Sequence, residues 1–265
     1  EDESGIFYWL SKRKTEESAE WLCAQGYDAL AYHGGMDKTA REAKQTRFQR
    51  DEAVIMVATI AFGMGIDKPD VRFVAHIDLP KSVEGYYQET GRAGRDGQPA
   101  TAWLAYGLQD VVQQRRMIDE SPGDEVFRRR LGQNLDAMLG LCETVQCRRA
   151  RLLAYFGQTI TACGNCDVCL DPPQAWDGTM AAQKARSAVY RLQQRGQRYG
   201  AGHLIDILRG KSTDRTRQHD HESLSVFGVG SDLSEQTWRG VLRQLLAPGL
   251  LMVDGEVYGT FALTQ

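Results

Sequence analysis

The chain has 265 residues, 42% hydrophobic and 25% charged, with a formal net charge of −3; this balance excludes wholesale disorder, collagen-like repeats and a disulfide-stapled miniprotein, and suits about two globular domains. No apolar run reaches the ~20 residues a bilayer span needs, and the start Glu1-Asp2-Glu3 is unlike a basic signal peptide, so the expectation is a cytoplasmic chain with no membrane partner. In such a compartment the crowding of Cys163, Cys166 and Cys169 points to metal rather than disulfides.

From Gly5 to Tyr106, short apolar runs alternate with amphipathic stretches. The runs Ile6–Leu10, Ala29–Tyr32, Val54–Val57, Val71–Val74 and Ala102–Tyr106 have strand length. Ser11 is placed to cap a helix that turns Ala19, Leu22 and Cys23 inward and ends at Gly26. Strands alternating with helices predict a parallel α/β sheet covered on both faces.

Within that region, Val57 to Pro69 runs from a strand into a loop bearing Gly63 and Gly65. Their lack of a side chain lets backbone amides approach a polyanion, and Asp67 is placed to take a sugar hydroxyl. Further on, Gln88-Glu89-Thr90-Gly91-Arg92-Ala93-Gly94-Arg95 sets two arginines three apart, on one face if helical, among small residues that leave room for a triphosphate.

After Gly107 the strand signals stop. Segments near 110–120 and 125–156 read as helices separated by Pro122-Gly123, and the cysteine loop follows. Cys163, Cys166 and Cys169 are spaced C-x2-C-x2-C, with Cys147 the natural fourth on the preceding helix. Four thiolates suit a closed structural zinc site; Cys142 is an alternative ligand and an iron–sulfur cluster the rival. The pair His219 and His221 reads as surface residues in a polar loop.

From about Gly178, Ala185, Ala188, Val189 and Leu192 form one helical face and Trp238, Val241, Leu242 and Leu245 another. Asp232 and Glu235 are spaced as a capping box for the second, leaving Arg239, Arg243 and Gln244 outward, with Arg239 and Arg243 as phosphate contacts. Leu251–Val253, Asp254-Gly255 and Glu256–Tyr258 read as a hairpin, completing the element order of a winged helix-turn-helix. Met180–Arg217 carries nine basic residues against two acidic ones, a net +7, with Tyr190 and Tyr199 among Arg191, Arg195 and their neighbours. That composition suits a nucleic-acid face, with protein docking by the winged helix as the alternative.

Gln88–Gly97, Thr59–Pro69 and Tyr32-His33-Gly34-Gly35-Met36 together resemble motifs of the second motor lobe of superfamily 2 helicases, in wording close to the bacterial RecQ DNA helicases. Cys147-Arg148-Arg149 with Cys163 to Pro173 resembles the RecQ zinc-binding subdomain, and the basic region through the final hairpin its winged helix. The resemblance divides the chain at 1–107, 108–175 and 176–265. It implies that Arg92 and Arg95 reach the nucleotide phosphates, Gln88 couples two lobes, Asp67 and Gly65 lie by the nucleotide, and Thr59 and Gly63 lie by the tracked strand. For the complete enzyme it implies 3′-to-5′ unwinding at a single-strand/duplex junction in repair and recombination, driven by ATP and Mg²⁺, beside the nucleoid.

A motor also needs G-x-x-x-x-G-K-[ST], which is not in these residues. Gly210-Lys211-Ser212 mimics only its end, after a helix-like run. The expectation is a chain that starts at the second lobe and does not hydrolyse ATP alone. The alternative class is a non-enzymatic zinc and winged-helix DNA-binding module.

Overall fold

A computed structural model describes residues 3–63, 66–254 and 259–264. The chain divides into two compact units: one runs up to Pro80 and includes Glu84–Tyr106, and the other takes Lys81–Val83 and everything from Gly107.

The first unit strings together β1 (Ser4–Tyr8), α1 (Lys12–Ala24), β2 (Asp28–Tyr32), α2 (Lys38–Arg50), β3 (Val54–Ala58), β4 (Val71–His76), α3 (Val83–Thr90) and β5 (Thr101–Leu104). The strands form one sheet in the order β2-β3-β1-β4-β5, each neighbouring pair parallel. Because side chains alternate along a strand, the sheet buries two separate cores. Ile6, Tyr8, Met56 and Ala58 face Phe48 of α2 and Phe62. Ala29, Ile55 and Val57 face Ala19 and Leu22 of α1. Ser11 caps α1 as expected, accepting from the Lys14 amide at 3.4 Å. Cys23, expected inward, is exposed, although its thiol still donates to the Ala29 carbonyl.

The second unit holds α4 (Leu108–Asp119), α5 (Glu125–Cys142), α6 (Arg148–Tyr155), α7 (Asp167–Leu170), α8 (Thr179–Gln194), α9 (Ala201–Arg209), α10 (Asp214–Gln218), a 3-10 turn (His221–Ser223), α11 (Glu235–Leu246), β6 (Leu251–Asp254) and β7 (Thr260–Leu263). The helix expected across 125–156 is two helices. Arg148 explains the break: its guanidinium donates to the terminal carbonyls of α5, Leu141 at 3.0 Å and Cys142 at 2.8 Å. Unpaired carbonyls at a helix end need such a donor.

In the C-terminal part, α8 and α11 bury the apolar faces read from sequence, and Trp238 is fully enclosed with its indole N–H donating to the Gly230 carbonyl at 2.9 Å. Two details differ from expectation. The N-cap of α11 is Ser234, which accepts from the Thr237 amide at 3.0 Å, so Asp232 is left to pair with Lys184. The hairpin pairs Asp254 with Thr260, so its second strand is Thr260–Leu263 rather than Glu256–Tyr258; residues 255–258, including the expected Gly255 turn, lie outside the described residues.

Candidate functional site

In a parallel sheet, ligands bind beyond the carboxyl ends of the strands. There the first unit places the end of β1 at Tyr8 and the Thr59–Gly63 turn, whereas the segment after α3 runs back to the amino end of β4, where the Gly94 amide donates to the Val71 carbonyl at 2.9 Å. The helix stops at Thr90, and the chain continues in turns through Gly94 (φ +65°), a backbone conformation that favours glycine. Arg92 and Arg95 therefore do not share a helical face. Arg92 is buried, 9% exposed, while Arg95 is half exposed.

Both arginines nonetheless converge on one loop. A Cβ built on Gly63 would stand 3.2 Å from an Arg92 terminal nitrogen, so any side chain at 63 crowds the guanidinium. Arg95 donates to the Ile66 carbonyl and to Asp67 Oδ1, each at 3.1 Å. The competing carboxylates are engaged elsewhere: Asp96 takes two hydrogen bonds from Arg72 at 2.6 Å, and Glu89 takes one from His76 at 2.7 Å. The Arg72 guanidinium also holds the Asp96 carboxyl below the usual carboxylate range. Asp67 keeps 84% of its side chain exposed and Gln88 is exposed, so both face solvent. Thr59 is buried, and its hydroxyl accepts from the Ala61 amide at 3.4 Å, shaping the turn. Gly65 lies outside the described residues. His33 organises its own turn, accepting at Nδ1 from the Gly35 amide and donating from Nε2 to Glu16.

The cysteine cluster forms as the spacing predicts. The sulfurs of Cys147, Cys163, Cys166 and Cys169 lie within 4.8 Å of one another, with Cys147 and Cys166 4.0 Å apart. Tetrahedral zinc with ~2.3 Å bonds sets its sulfurs ~3.8 Å apart, so the donor set fits that ion. Cys147 is not on the preceding helix; it is the N-cap of α6. The amides of Ala150 and Cys163 donate to its sulfur and hold its thiol down, to about 6, which favours the ligating thiolate. Cys142 stands outside the cluster, and burial pushes its thiol up to about 12. Sequence reasoning missed the brace around this centre. Arg148 donates to both oxygens of Asp167, at 2.6 and 2.8 Å, and so ties the end of α5 to the start of α7. Its only sequence signal is an arginine beside a ligand.

The four arginines expected to meet DNA have different surroundings. Arg191 is exposed and donates to Gln194 one turn on. Arg239 pairs along its own helix with Glu235. Arg195 closes a loop, donating to the Asp220 carbonyl at 3.0 Å and to Ser223 Oγ at 3.1 Å. Arg243 does not face outward: it meets Glu143 at 3.1 Å, where Gln244 also donates, so the two clamp α11 to the end of α5.

The expected surface histidines are corrected as well. His221 is fully buried, its Nδ1 2.9 Å from His203 Nε2 and its Nε2 2.8 Å from Gln197 Oε1, with His219 stacked on it. Burial, reinforced by the neighbouring His221, pushes His203 down to about 4. Lys211 follows the C-cap Gly210 of α9 and pairs with Asp206, so this Gly-Lys-Ser stands at a helix end, not at the helix start a phosphate loop requires.

Residues 1–97 match the family model of the helicase conserved C-terminal domain, 108–170 that of RecQ zinc-binding, and 172–265 that of the RQC domain. The protein named ATP-dependent DNA helicase RecQ in Haemophilus influenzae is 47% identical over 99% of this chain and 42% of its own length. Its namesake in Pasteurella multocida is 46% identical over 99% and 41%, and that in Bacillus subtilis 37% over 86% and 38%. The chain thus spans about two-fifths of the length of these relatives.

Proposed function

The chain belongs to the RecQ family of DNA helicases, and from that premise we propose that it serves ATP-driven DNA unwinding as the second motor lobe, joined to a zinc module and a duplex-gripping winged helix. The observation that carries this reading is the convergence of Arg92 on Gly63 and of Arg95 on Ile66 and Asp67, the two segments that follow β3. In the complete enzyme, with a lobe that supplies the phosphate loop and Mg²⁺, Arg95 would exchange Asp67 for a nucleotide phosphate and Arg92 would stabilise charge on the transferring group. The exposed Asp67 carboxylate, released from Arg95, then meets the ribose. Gln88, at the surface of α3, contacts the opposite lobe.

When bound, zinc cross-links the Cys147 cap to the Cys163–Cys169 loop and supplies no reacting water, since all four positions are sulfur. Arg148 and Asp167 keep those segments together around it. The family's RQC winged helix implies nucleic-acid binding; a single-strand/duplex junction in the bacterial cytoplasm, beside the nucleoid, is the finer reading. Arg191 and Arg239 are the side chains that remain placed for phosphates, while Arg195 and Arg243 shape the surface they stand on.

The test is ATP hydrolysis by a two-lobe enzyme that joins this chain to a Walker A lobe. Arg92→Ala and Arg95→Ala should each lower kcat by about 10³-fold, the scale of an arginine finger. Undiminished turnover in both would leave the non-enzymatic DNA-binding module as the better description.

A further inference from the structure

We infer that Arg72 is a positioning residue that sets Arg95 toward the nucleotide, by laying the turn that carries Arg95 onto the chain entering β4; this rests on the functional reading above, in which Arg95 reaches a phosphate. The backbone on either side of Arg95 is held on that chain. The Gly94 amide donates to the Val71 carbonyl at 2.9 Å and the Asp96 amide to the Pro69 carbonyl at 3.3 Å, so Arg95 stands opposite Asp70. The Arg72 guanidinium joins the two layers. One terminal nitrogen donates to both oxygens of Asp96 at 2.6 Å and to the Pro69 carbonyl at 3.3 Å, and the other donates to the Pro99 carbonyl at 3.1 Å. Its Nε donates to the Asp70 carbonyl at 3.1 Å. A guanidinium spreads its donors over one rigid plane and so meets these carbonyls and a carboxylate together, which the compact ammonium of a lysine does not span. Only 15% of the Arg72 side chain is exposed, so the charge-assisted bonds to Asp96 are little screened.

The chain that receives Arg95 is fixed as well. Lys68, with 3% of its side chain exposed, donates from Nζ to the Asp51 carbonyl at 2.9 Å and pairs with Asp70 at 3.2 Å, which anchors the approach to β4 at the end of α2. Arg95 meets that approach at the Ile66 carbonyl and Asp67, while its own Nε donates to the Gly91 carbonyl at 3.2 Å. The Arg95 side chain is 39% exposed, so its direction depends on these hydrogen bonds rather than on enclosure. They form only where the Asp96 turn is laid against the chain from Ile66 to Asp70, and Arg72 is the side chain that fastens the two together. Arg72 thus acts on Arg95 through Asp96 and the backbone.

The experiment is a double-mutant cycle in ATP turnover of the two-lobe enzyme, combining Arg72→Gln with Arg95→Ala. Alone, Arg72→Gln should lower kcat about 30-fold, the scale of a misplaced reacting group. Added to Arg95→Ala, it should lower kcat by less than about a further twofold, since a residue that acts through Arg95 then has nothing left to place. General loosening of the fold would slow both backgrounds alike, because Arg92 and the phosphate loop still need their geometry. An equal loss in the two backgrounds, or a wild-type kcat in Arg72→Gln with Arg95→Ala slow, overturns the positioning role and leaves the functional reading standing. A wild-type rate in Arg95→Ala overturns that reading and the positioning role with it. If Arg72→Gln does not fold, Asp96→Ala carries the cycle, because it cuts the link beside Arg95 and leaves Arg72 its carbonyl partners. It should lower kcat about tenfold alone and less than about twofold beside Arg95→Ala. An equal loss in both backgrounds, or none in either, overturns the positioning role.

Discussion

His203 and His221 show what a single buried hydrogen bond commits the second unit to. The pair lies inside the winged helix with His203 Nε2–H donating to His221 Nδ1, and burial is the first reason that His203 titrates near 4 rather than near 6.5. A histidine whose folded value is depressed is bound by fewer protons in the folded state, so its contribution is complete above the unfolded value. As pH falls from about 6.5 to about 4, that contribution is lost. Thermal melts of the zinc-loaded chain at pH 7.5 and pH 5 should show the loss, on the order of 1–2 kcal/mol for this pair. His203→Gln should flatten the dependence, since an amide does not titrate, and the same slope in both proteins would place the effect elsewhere. Gly63 shows the steric counterpart. Its missing side chain makes room for Arg92, and Gly63→Ala should lower the ATPase of the two-lobe enzyme about tenfold or more by displacing the guanidinium.

Among elements, the corner where α5, α6 and α11 meet is tied by charged and polar side chains rather than by apolar packing. Cys147 and Arg148 end one helix, start the next and turn toward the cysteine loop, while Glu143 on the same corner receives Arg243 and Gln244. Cys169→Ser should drop bound zinc well below one ion per chain by elemental analysis and loosen this corner, because zinc affinity here is folding energy. Cys142→Ser should retain one ion, as Cys142 stands apart from the cluster. A double-mutant cycle of Glu143→Ala and Arg243→Ala should return a coupling of about 1 kcal/mol in chemical denaturation, consistent with a partly buried charged pair. Additive effects would return Arg243 to the list of free phosphate contacts.

For the molecule as a whole, the net charge of −3 conceals a +7 stretch between Met180 and Arg217. Salt-dependent anisotropy of a 3′-tailed duplex should show binding that weakens steeply with ionic strength. Charge reversal at Arg191 and Arg239 should lower affinity and flatten that slope, whereas a salt-independent affinity would argue against a phosphate-tracking face. The sequence alone determined the strands of the parallel sheet, the two apolar faces of the winged helix and the gathering of the four cysteines, because each is written as a local period or a short spacing. Only the tertiary structure decided which arginines pair within their own helix and which bridge distant segments. Arg243 and Glu143 stand 100 residues apart in sequence, and Tyr8 and Phe62 stand 54 apart. The histidines turned inward for the same reason. A polar side chain takes whichever buried partner the fold brings within hydrogen-bond reach, and no periodicity records partners that distant.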